Sequence, residues 1–533
     1  MIRSTFAGFT TAQLAMAASQ KALDVTGQNI ANINTVGYTR QRLDIASLNT
    51  HGGNFYSSGN KTKVGFGVEM TGISQLRDPF LDMQYRSQMS KLGTTDARAA
   101  GLEQLEPIFD ETMDDGIRDA LRNITSALTT LAKNPSGQEY DGMVRSNMQI
   151  LLNLLHDNAT RLEDVRADVV NGFESSDVAD VNRILENIAN LNTNIKNSQI
   201  LDNPALELQD ERNGLLDELA SYLPISVKYS DQEVGPGVFV EVLDVTFVDS
   251  NGDSHKLISD GKFSSFEADI TGEPVTLKLD SLDGSGSINV TDVLGSGTLK
   301  GTLDVINKSG DFDGSDFKGI GYYEKSLDAL VETFVTVFND LNKGVKLDAN
   351  GEPIKNPNYD PADPTKGPEY ELEDRPLFEK IDAAKPWSAS NVKIANNWTN
   401  GTYGVTNSTS VIGGKVPSDA SETIMSMIES LSKGHEFSVN GVKFYEGSFY
   451  DCFANIENTL ATDIKAAEAM LKNQISVVNQ TANSKDAVSG VQLDEEGMNL
   501  MHFNQSYTAA ARLMTTLDEA LDTLINRTGV VGR

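Results

Sequence analysis

Residues 493–525 read LDEEGMNLMHFNQSYTAAARLMTTLDEALDTLI. Apolar side chains recur in this stretch at alternating spacings of three and four, the heptad pattern of a helix that packs along one side. The pattern is unbroken from its first member to its last, so it predicts a C-terminal coiled-coil helix. The members of this set, which we call the C-terminal seam, are Leu500, Phe503, Tyr507, Ala510, Met514, Leu517, Leu521 and Leu524.

A second seam is predicted near the N-terminus, where residues 4–33 suit a helix and every seventh residue is apolar. This seam is weaker, because Gln13, Gln20 and Gly27 occupy its alternate positions. An isolated helix of about 25 residues is marginal in water. We therefore predict that both ends are loosely ordered in a lone monomer and become fixed when they pair, with each other or with other copies. The N-terminal seam comprises Phe6, Phe9, Met16, Leu23 and Ile30.

Length and composition restrict the class of protein. A chain of 533 residues is too long for one core, and two to four domains are expected. It carries 44 basic and 76 acidic residues, a net charge of −32 that argues against nucleic acid as a partner. No apolar run approaches the roughly 18 residues that predict a membrane span, and polar residues interrupt any N-terminal signal peptide. We expect a cytoplasmic protein, or one exported without a cleaved signal.

The chain order predicts a multidomain, mainly α fold with β insertions. A stripe of Val and Ile from 181 to 195 is typical of a bundle of long helices, whereas alternating β-branched residues after Pro224 indicate strands. An apolar stripe in an internal helix is more often plain core than an assembly device, but these two seams lie at the extremities. The predicted parts are paired terminal helices and their connection (1–90 and 485–533), a helical body (91–223, 307–347 and 451–484), a β-rich outer domain (224–306), and a Pro-rich loop with a possible second insertion (348–450).

Motifs of catalysis and metal binding are absent from the sequence. It contains no GxxxxGK[ST], HExxH, CxxC or GxSxG, and its five histidines are scattered. Residues 249–260 resemble a calcium loop only superficially, since Ser254 replaces the required glycine, and a β-turn is favoured. The single cysteine, Cys452, cannot form an intrachain disulfide and is interpreted as a small core residue. We expect no enzyme activity, no cofactor and no metal.

Residues 28–41, QNIANINTVGYTRQ, carry the most specific motif of the chain, a turn in which Gly37 is expected to have a positive φ. The segment resembles the N-terminus of bacterial flagellar rod, hook and hook-associated proteins. Residues 489–496 (SGVQLDEE) and 507–511 (YTAAA) resemble the hook-associated branch of that family. Val36 departs from the pattern, because many members have proline there. The motif residues are Asn29, Asn32, Asn34, Gly37 and Tyr38.

The resemblance implies a structural subunit at the hook–filament junction, with both seams as the assembly interface. It implies an extracellular location and type III export without a cleaved signal. The implied partners are copies of the chain, the hook protein, the next hook-associated protein, and an export chaperone on the C-terminal helix. Two alternatives stay open. One is another flagellar axial protein, such as a hook, distal-rod or other junction protein. The other is an extracellular enzyme or adhesin whose activity lies in residues 224–450.

Overall fold

The computed structural model describes most of the chain. The C-terminal tail after residue 527, much of the segment between residues 49 and 66, and part of the predicted Pro-rich loop lie outside the described residues. The described residues are 5–48, 65, 67–109, 116–282, 284, 286–361 and 367–527.

Long helices dominate the structure, and two of them, of 27 and 30 residues, lie near the two ends of the chain. A π-helical segment, Phe173–Val178, joins α5 to α6 without a break. The helices are α1 (Thr5–Ala31), α2 (Pro79–Glu103), α3 (Glu106–Phe109), α4 (Ile117–Lys133), α5 (Gln138–Gly172), α6 (Ala179–Ile200), α7 (Leu206–Tyr222), α8 (Thr298–Asn307), α9 (Ile320–Leu341), α10 (Asn396–Thr399), α11 (Glu422–Ser432), α12 (Phe449–Ser489) and α13 (Leu493–Asp522).

The strands form small antiparallel sheets. The largest has the order β3-β4-β5-β6 and the next has the order β7-β8-β9, while the others are two-stranded. The strands are β1 (Gln41–Ser47), β2 (Val68–Gln75), β3 (Ile225–Gly235), β4 (Val238–Val248), β5 (Ser254–Ser259), β6 (Lys262–Phe263), β7 (Phe266–Asp269), β8 (Thr276–Asp280), β9 (Ser287–Asn289), β10 (Gly344–Val345), β11 (Leu372–Glu373), β12 (Phe378–Glu379), β13 (Lys393–Ile394), β14 (His435–Val439) and β15 (Val442–Gly447).

The first hydrophobic core lies between α4, α5, α9, α11 and the first half of α12. Aromatic side chains fill it, and Phe334 contacts both Phe338 and Phe449. Trp398 and Phe437 belong to the same core. The described residues between 370 and 450 are therefore packed into the helical body, and their buried side chains belong to the first core rather than to a core of their own. The sequence of this segment did not indicate its packing, because its side chains are buried by helices distant in the chain rather than by each other.

The second core joins helices α6, α7 and α8 to the two larger sheets. Alternation places Leu243, Val245 and Phe247 of β4 inward, as the strand period of two requires. The predicted β structure up to residue 306 is wrong at its end, because residues 298–307 form α8. Gly301 of α8 packs closely on α2, where a Cβ would lie 2.7 Å from the Thr94 carbonyl oxygen.

Two predicted helix limits also differ from the structure. We expected the last part of the helical body to span residues 451–484, but α12 runs from Phe449 to Ser489. Ser448 begins it by accepting a hydrogen bond from the Asp451 amide at 3.1 Å. Most side chains of its second half are exposed, so that half lacks the apolar period by which helices are predicted. Val345 falls within the predicted helical segment 307–347 but lies in β10.

Candidate functional site: the paired termini and their attachment

Helices α1 and α13 lie side by side and antiparallel. At one end Gly8 lies directly against Leu517, since a Cβ at Gly8 would be 3.0 Å from Leu517 Cδ1. At the other end the Asn29 Nδ2 atom is 3.3 Å from the Glu496 carboxylate. The two contacts are 21 residues apart along each helix, so the pairing extends over about 30 Å. The two ends of the chain therefore meet within one subunit.

The C-terminal seam forms much of the contact with α1, but not all of its members are covered. Ala510 is buried, and Phe503, Tyr507, Met514, Leu517 and Leu521 are half-buried. Leu500 and Leu524 are exposed, at 41% and 56% of their surface. Contacts of these residues with other copies of the chain stay a prediction, as does the loose order of both ends before assembly.

The buried face of α1 runs through small side chains rather than through the predicted large ones. Phe9, Met16, Leu23 and Ile30 are half-buried and flank this face, while the side chain of Phe6 lies outside the described part of the chain. Small residues let two helices approach closely, because the interaxial distance depends on the side chains at the contact. A search for hydrophobic periodicity gives most weight to large apolar residues, so it did not identify these small buried residues of α1. The buried residues are Ala12, Ala18, Ser19, Ala22, Val25, Thr26 and Asn29.

Asn29 connects three parts of the terminal region. Its Nδ2 donates to the Gln41 carbonyl at 2.9 Å, and its Oδ1 accepts from the Gln41 amide at 3.0 Å. The Tyr38 hydroxyl donates to the same oxygen at 2.9 Å. This buried amide thereby ties the end of α1 to the start of β1, and through Glu496 to α13. An amide side chain is needed at position 29 because the same group both donates and accepts hydrogen bonds.

The remaining motif residues shape the turn between α1 and β1. Gly37 has a φ of +81°, which confirms the predicted positive value. Asn32 donates to the Gln28 carbonyl at 3.0 Å and accepts from the Thr35 hydroxyl at 3.2 Å. Asn34 is exposed. These local bonds close the helix and reverse the chain so that Tyr38 points back toward Asn29.

Two ion pairs made by Arg40 attach the turn to α13. Arg40 Nε lies 2.7 Å from Glu496, which is buried, and Arg40 Nη1 lies 2.5 Å from Glu495. The Arg40 amide also donates to the carbonyl of Ser489, the last residue of α12. Motif resemblance drew attention to these residues, but the ion pair spans more than 450 positions of the sequence and no local pattern indicates it.

The turn is also attached to the helical body through Asp210 of α7. The Thr39 amide donates to Asp210 at 3.1 Å and the Gln75 side chain at 2.9 Å. Burial raises the pKa of Asp210, against the lowering effect of these hydrogen bonds. Burial, together with the charges of Asp210 and Glu207, raises the pKa of Tyr38 to about 12. The phenol therefore stays protonated and remains a donor to Asn29.

A second cluster of charges fixes α12 to the body just before the terminal pair begins. Lys485 Nζ lies 2.5 Å from Asp217 of α7 and 3.4 Å from Asp82 of α2. The buried guanidinium of Arg86 lies 2.7 Å from Asp217. Although burial acts to raise it, the pKa of Asp82 is lowered, chiefly by Arg77 and then by Lys485. Three helices are thus joined at the base of the terminal pair, and sequence reasoning did not predict this joint.

Metal-binding side chains do not converge in the described ranges. No cluster of three or more His, Cys, Asp or Glu side chains there could hold a metal ion. Cys452 is buried in the first core, as expected, and burial raises the pKa of its thiol. Asp249 closes a turn by accepting from the Asn251 and Asp253 amides. Among the same residues, no helix combines the length and hydropathy that a membrane crossing requires.

Three family models match successive parts of the chain. The flagellar hook-associated protein FlgK helical domain matches residues 102–356. The flagella basal body rod protein model matches residues 9–39, which include most of α1 and the motif turn. The flagellar basal body rod FlgEFG protein C-terminal model matches residues 487–527, which include α13.

Relatives match over nearly the whole chain. Flagellar hook-associated protein 1 of Bacillus subtilis is 26% identical over 542 residues, covering 99% of this chain and 100% of the relative. The protein of the same name from Salmonella typhimurium is 22% identical, covering 96% and 97%. The solved structure of the flagellar hook junction protein FlgK from Burkholderia pseudomallei has a TM-score of 0.54 and 14% identity. It covers 76% of this chain and shares the fold.

Together the paired ends, the helical body and these matches define a structural protein of the bacterial flagellum. The chain belongs to the flagellar rod, hook and hook-associated protein family, on its hook-associated protein 1 (FlgK) branch.

Proposed function

We propose that this chain is the adaptor subunit of the hook–filament junction, which assembles through its paired terminal helices and permits the filament to grow. In the assembled particle the α1–α13 pair lines the inner tube, the helical body surrounds it, and the β-rich domain faces outward. The family assignment supports the flagellar location, and the geometry of α13 supports the mode of assembly.

The observation that carries this proposal is a second apolar stripe on α13, which we call the ridge. At 100° per residue the ridge lies about 130° around the helix from the seam that contacts α1. Met498, Met501 and Leu513 are 60%, 59% and 47% exposed. Exposed apolar side chains gathered on one face of a helix are typical of a protein–protein contact. The ridge comprises Met498, Met501, Ala509, Leu513 and Ala520.

The proposed partners follow from this surface. Copies of the chain cover the ridge, the hook protein adjoins the assembly on one side, and the next hook-associated protein adjoins it on the other. The chain acts outside the cell and reaches its place through the flagellar type III apparatus without a cleaved signal. Before export a chaperone covers α13, because an exposed ridge favours aggregation. No nucleic acid or membrane insertion is involved.

The chain acts without enzymatic chemistry. The relatives are flagellar structural proteins, and the charged clusters of the described residues are engaged in tying elements together. Asp217, for example, is shared by Arg86 and Lys485. An assay of residues 224–450 for hydrolysis and for glycan binding tests the alternative of an enzyme or adhesin, and activity in that fragment would support it.

A deletion strain tests the proposed place in the flagellum. We expect cells without the gene to build intact hooks and to shed unpolymerised flagellin into the medium. Electron microscopy of the cell surface and blotting of the medium measure both effects, and re-expression of the chain should restore filaments. Loss of the hook itself would overturn the junction assignment in favour of a hook or distal-rod protein.

A further inference from the structure

Strand β3 forms one edge of the largest sheet. It pairs with β4 on one side over Ile225–Gly235, and no other strand of the described residues adjoins it. Edge strands of natural proteins are usually short, covered, bulged or interrupted by proline. Strand β3 is eleven residues long and contains no proline, and the register shift in its pairing with β4 lies at its end, between Glu233 and Gly235. It therefore presents an open edge.

The register shows which backbone groups of β3 point outward from this edge. The Val248 amide donates to the Pro224 carbonyl at 3.4 Å, so this pair belongs to the hydrogen-bonded set of the β3–β4 ladder. Hydrogen-bonded and non-hydrogen-bonded pairs alternate along an antiparallel ladder. The odd-numbered residues of β3 therefore direct their amide and carbonyl groups away from β4. These groups, which make no hydrogen bond outside the ladder in the described part of the chain, belong to Val227, Tyr229, Asp231 and Glu233.

A groove lies between the first half of β3 and helix α2. Its volume is about 420 Å³. Phe80 and Met83 line it from α2 and are 62% and 59% exposed, while Val227 and Tyr229 line it from β3. The Tyr229 hydroxyl donates to Asn213 at 2.9 Å, which holds the ring in place. A strand added to β3 would place alternate side chains on the same face as Val227 and Tyr229, where the groove offers them apolar contact.

We propose that β3 accepts an extended segment of a partner protein as an additional antiparallel strand. In this mode of binding, main-chain hydrogen bonds provide the affinity and alternate side chains provide the specificity. On the groove face, Val227 and Tyr229 favour apolar residues opposite them, whereas Asp231 and Glu233 favour basic residues. On the other face, Lys228 favours an acidic residue.

The partner segment is thereby defined by its chemistry. Read from its N-terminus, it carries two basic residues and then two apolar residues at alternate positions, with an acidic residue between the apolar pair. This inference goes beyond the proposed function and does not depend on it.

A second copy of β3 does not fit this description. When two such edges pair antiparallel, outward-pointing residues lie opposite outward-pointing residues, so odd positions oppose only odd positions and even positions only even ones. Lys228 then never lies opposite Asp231 or Glu233, and no odd-numbered residue of β3 is basic. The charges of β3 therefore favour a different chain as the occupant.

A synthetic peptide tests whether the edge accepts such a segment. The probe acetyl-Lys-Thr-Lys-Thr-Val-Glu-Val-amide has the required alternation, and fluorescence anisotropy of a labelled form measures its binding to the purified full-length chain. We expect saturable binding and slower hydrogen exchange in residues 225–235. Methylation of the backbone nitrogens of the second lysine and the first valine removes two amide donors that face β3, and it should weaken binding at least tenfold.

Charge-swapped variants test the predicted register. Asp231→Lys/Glu233→Lys should bind the probe about tenfold more weakly than the unmodified chain does. The same variant should bind the peptide acetyl-Glu-Thr-Glu-Thr-Val-Glu-Val-amide more tightly than the unmodified chain does. The matched control is Asp253→Lys/Glu267→Lys, which changes the net charge equally at two exposed positions away from β3 and should leave binding of the probe unchanged.

Several results would overturn the proposal. They are the absence of saturable binding at millimolar peptide, equal binding of the methylated probe, exchange protection that spares residues 225–235, and equal weakening in the control variant. A dimer of the unmodified chain that dissociates in Asp231→Lys/Glu233→Lys would show that a second copy occupies the edge, which also contradicts it. None of these results bears on the deletion-strain test of the proposed function.

Discussion

The side-chain amide of Asn29 lies 3.3 Å from the carboxylate of Glu496, although 467 positions separate the two residues. Both side chains are buried, at 1% exposure each. One belongs to the last turn of α1 and the other to the first turn of α13. The chain therefore closes on itself through a polar contact that withstands little change, because each group also serves a second partner.

Replacing Glu496 should open this end of the terminal pair. Glu496→Ala leaves Arg40 and Asn29 without their shared acceptor, and breaking such a buried ion pair costs on the order of 3 kcal/mol. We expect faster hydrogen exchange in residues 493–503 and in the motif turn, with no change in the two hydrophobic cores. The matched control is Glu495→Ala, whose 44% exposed carboxylate should contribute less than about 1 kcal/mol. Equal effects of the two variants would contradict the role of Glu496.

Two aspartate substitutions should separate pairing within a subunit from contact between subunits. Leu517→Asp places a charge against α1 near Gly8 and should cost several kcal/mol, releasing both helices for proteolysis. Leu513→Asp changes an exposed ridge residue, so the purified chain should keep its protease resistance and still fail to assemble. Both proteins should remain soluble. Motility after complementation measures assembly, and a motile Leu513→Asp strain would argue against the ridge.

The pH dependence of the unfolding free energy should reveal the titration of the Asp328 carboxyl. Burial raises the pKa of this carboxyl to about 6, although the Ala389 amide donates to it at 2.8 Å. The folded chain holds this proton more tightly than the unfolded chain, so the group favours folding at low pH. This contribution is fully present below the unfolded pKa of 3.8. It is lost as the pH rises through about 6.

Asp328→Asn removes this titration and keeps a side-chain oxygen for the Ala389 amide. Relative to the unmodified chain, the variant should gain about 2 kcal/mol of unfolding free energy between pH 4 and pH 7.5. Urea unfolding at several pH values measures the difference. Asp340→Asn on the same helix is the control, since the Asp340 side chain is 67% exposed. A constant difference between Asp328→Asn and the unmodified chain would be inconsistent with the raised pKa.

The single thiol should be inert in the folded chain. Cys452 is fully buried and burial raises its pKa, so a thiol reagent should react only after unfolding. Ile45→Cys supplies the positive control, because this position is 60% exposed. Cys452→Ser should destabilise the body by roughly 1–3 kcal/mol and still assemble. Loss of motility in a Cys452→Ser protein of normal abundance would point to a direct role for the thiol.

Sequence patterns predicted the ends of the chain better than its middle. The C-terminal helix predicted from the seam is confirmed, and α13 spans Leu493–Asp522. The positive φ of Gly37 is also confirmed. In contrast, residues 370–450 have no strong period of their own, and their burial depends on α4, α9 and α12.

Most contacts of the candidate site could not be predicted from the sequence, because they join residues that are far apart in the chain. The motif indicated that Asn29 matters, but its partner Glu496 is identified only once the two ends meet. The joint at Lys485 likewise depends on Asp82 and Asp217, which lie on two other helices. The small residues of α1 were missed for a different reason. Ala18 and Ala22 contribute by letting helices approach, and a hydrophobic pattern gives such residues little weight.

The central claim is that the two ends of each subunit lie side by side in the working flagellum. A high-resolution cryo-electron microscopy map of the assembled hook–filament junction measures this directly. We expect Gly8 against Leu517 and Asn29 against Glu496 within one subunit, with Met501 covered by a neighbour. A map that places Met16 and Leu517 on unrelated surfaces exposed to solvent would contradict it.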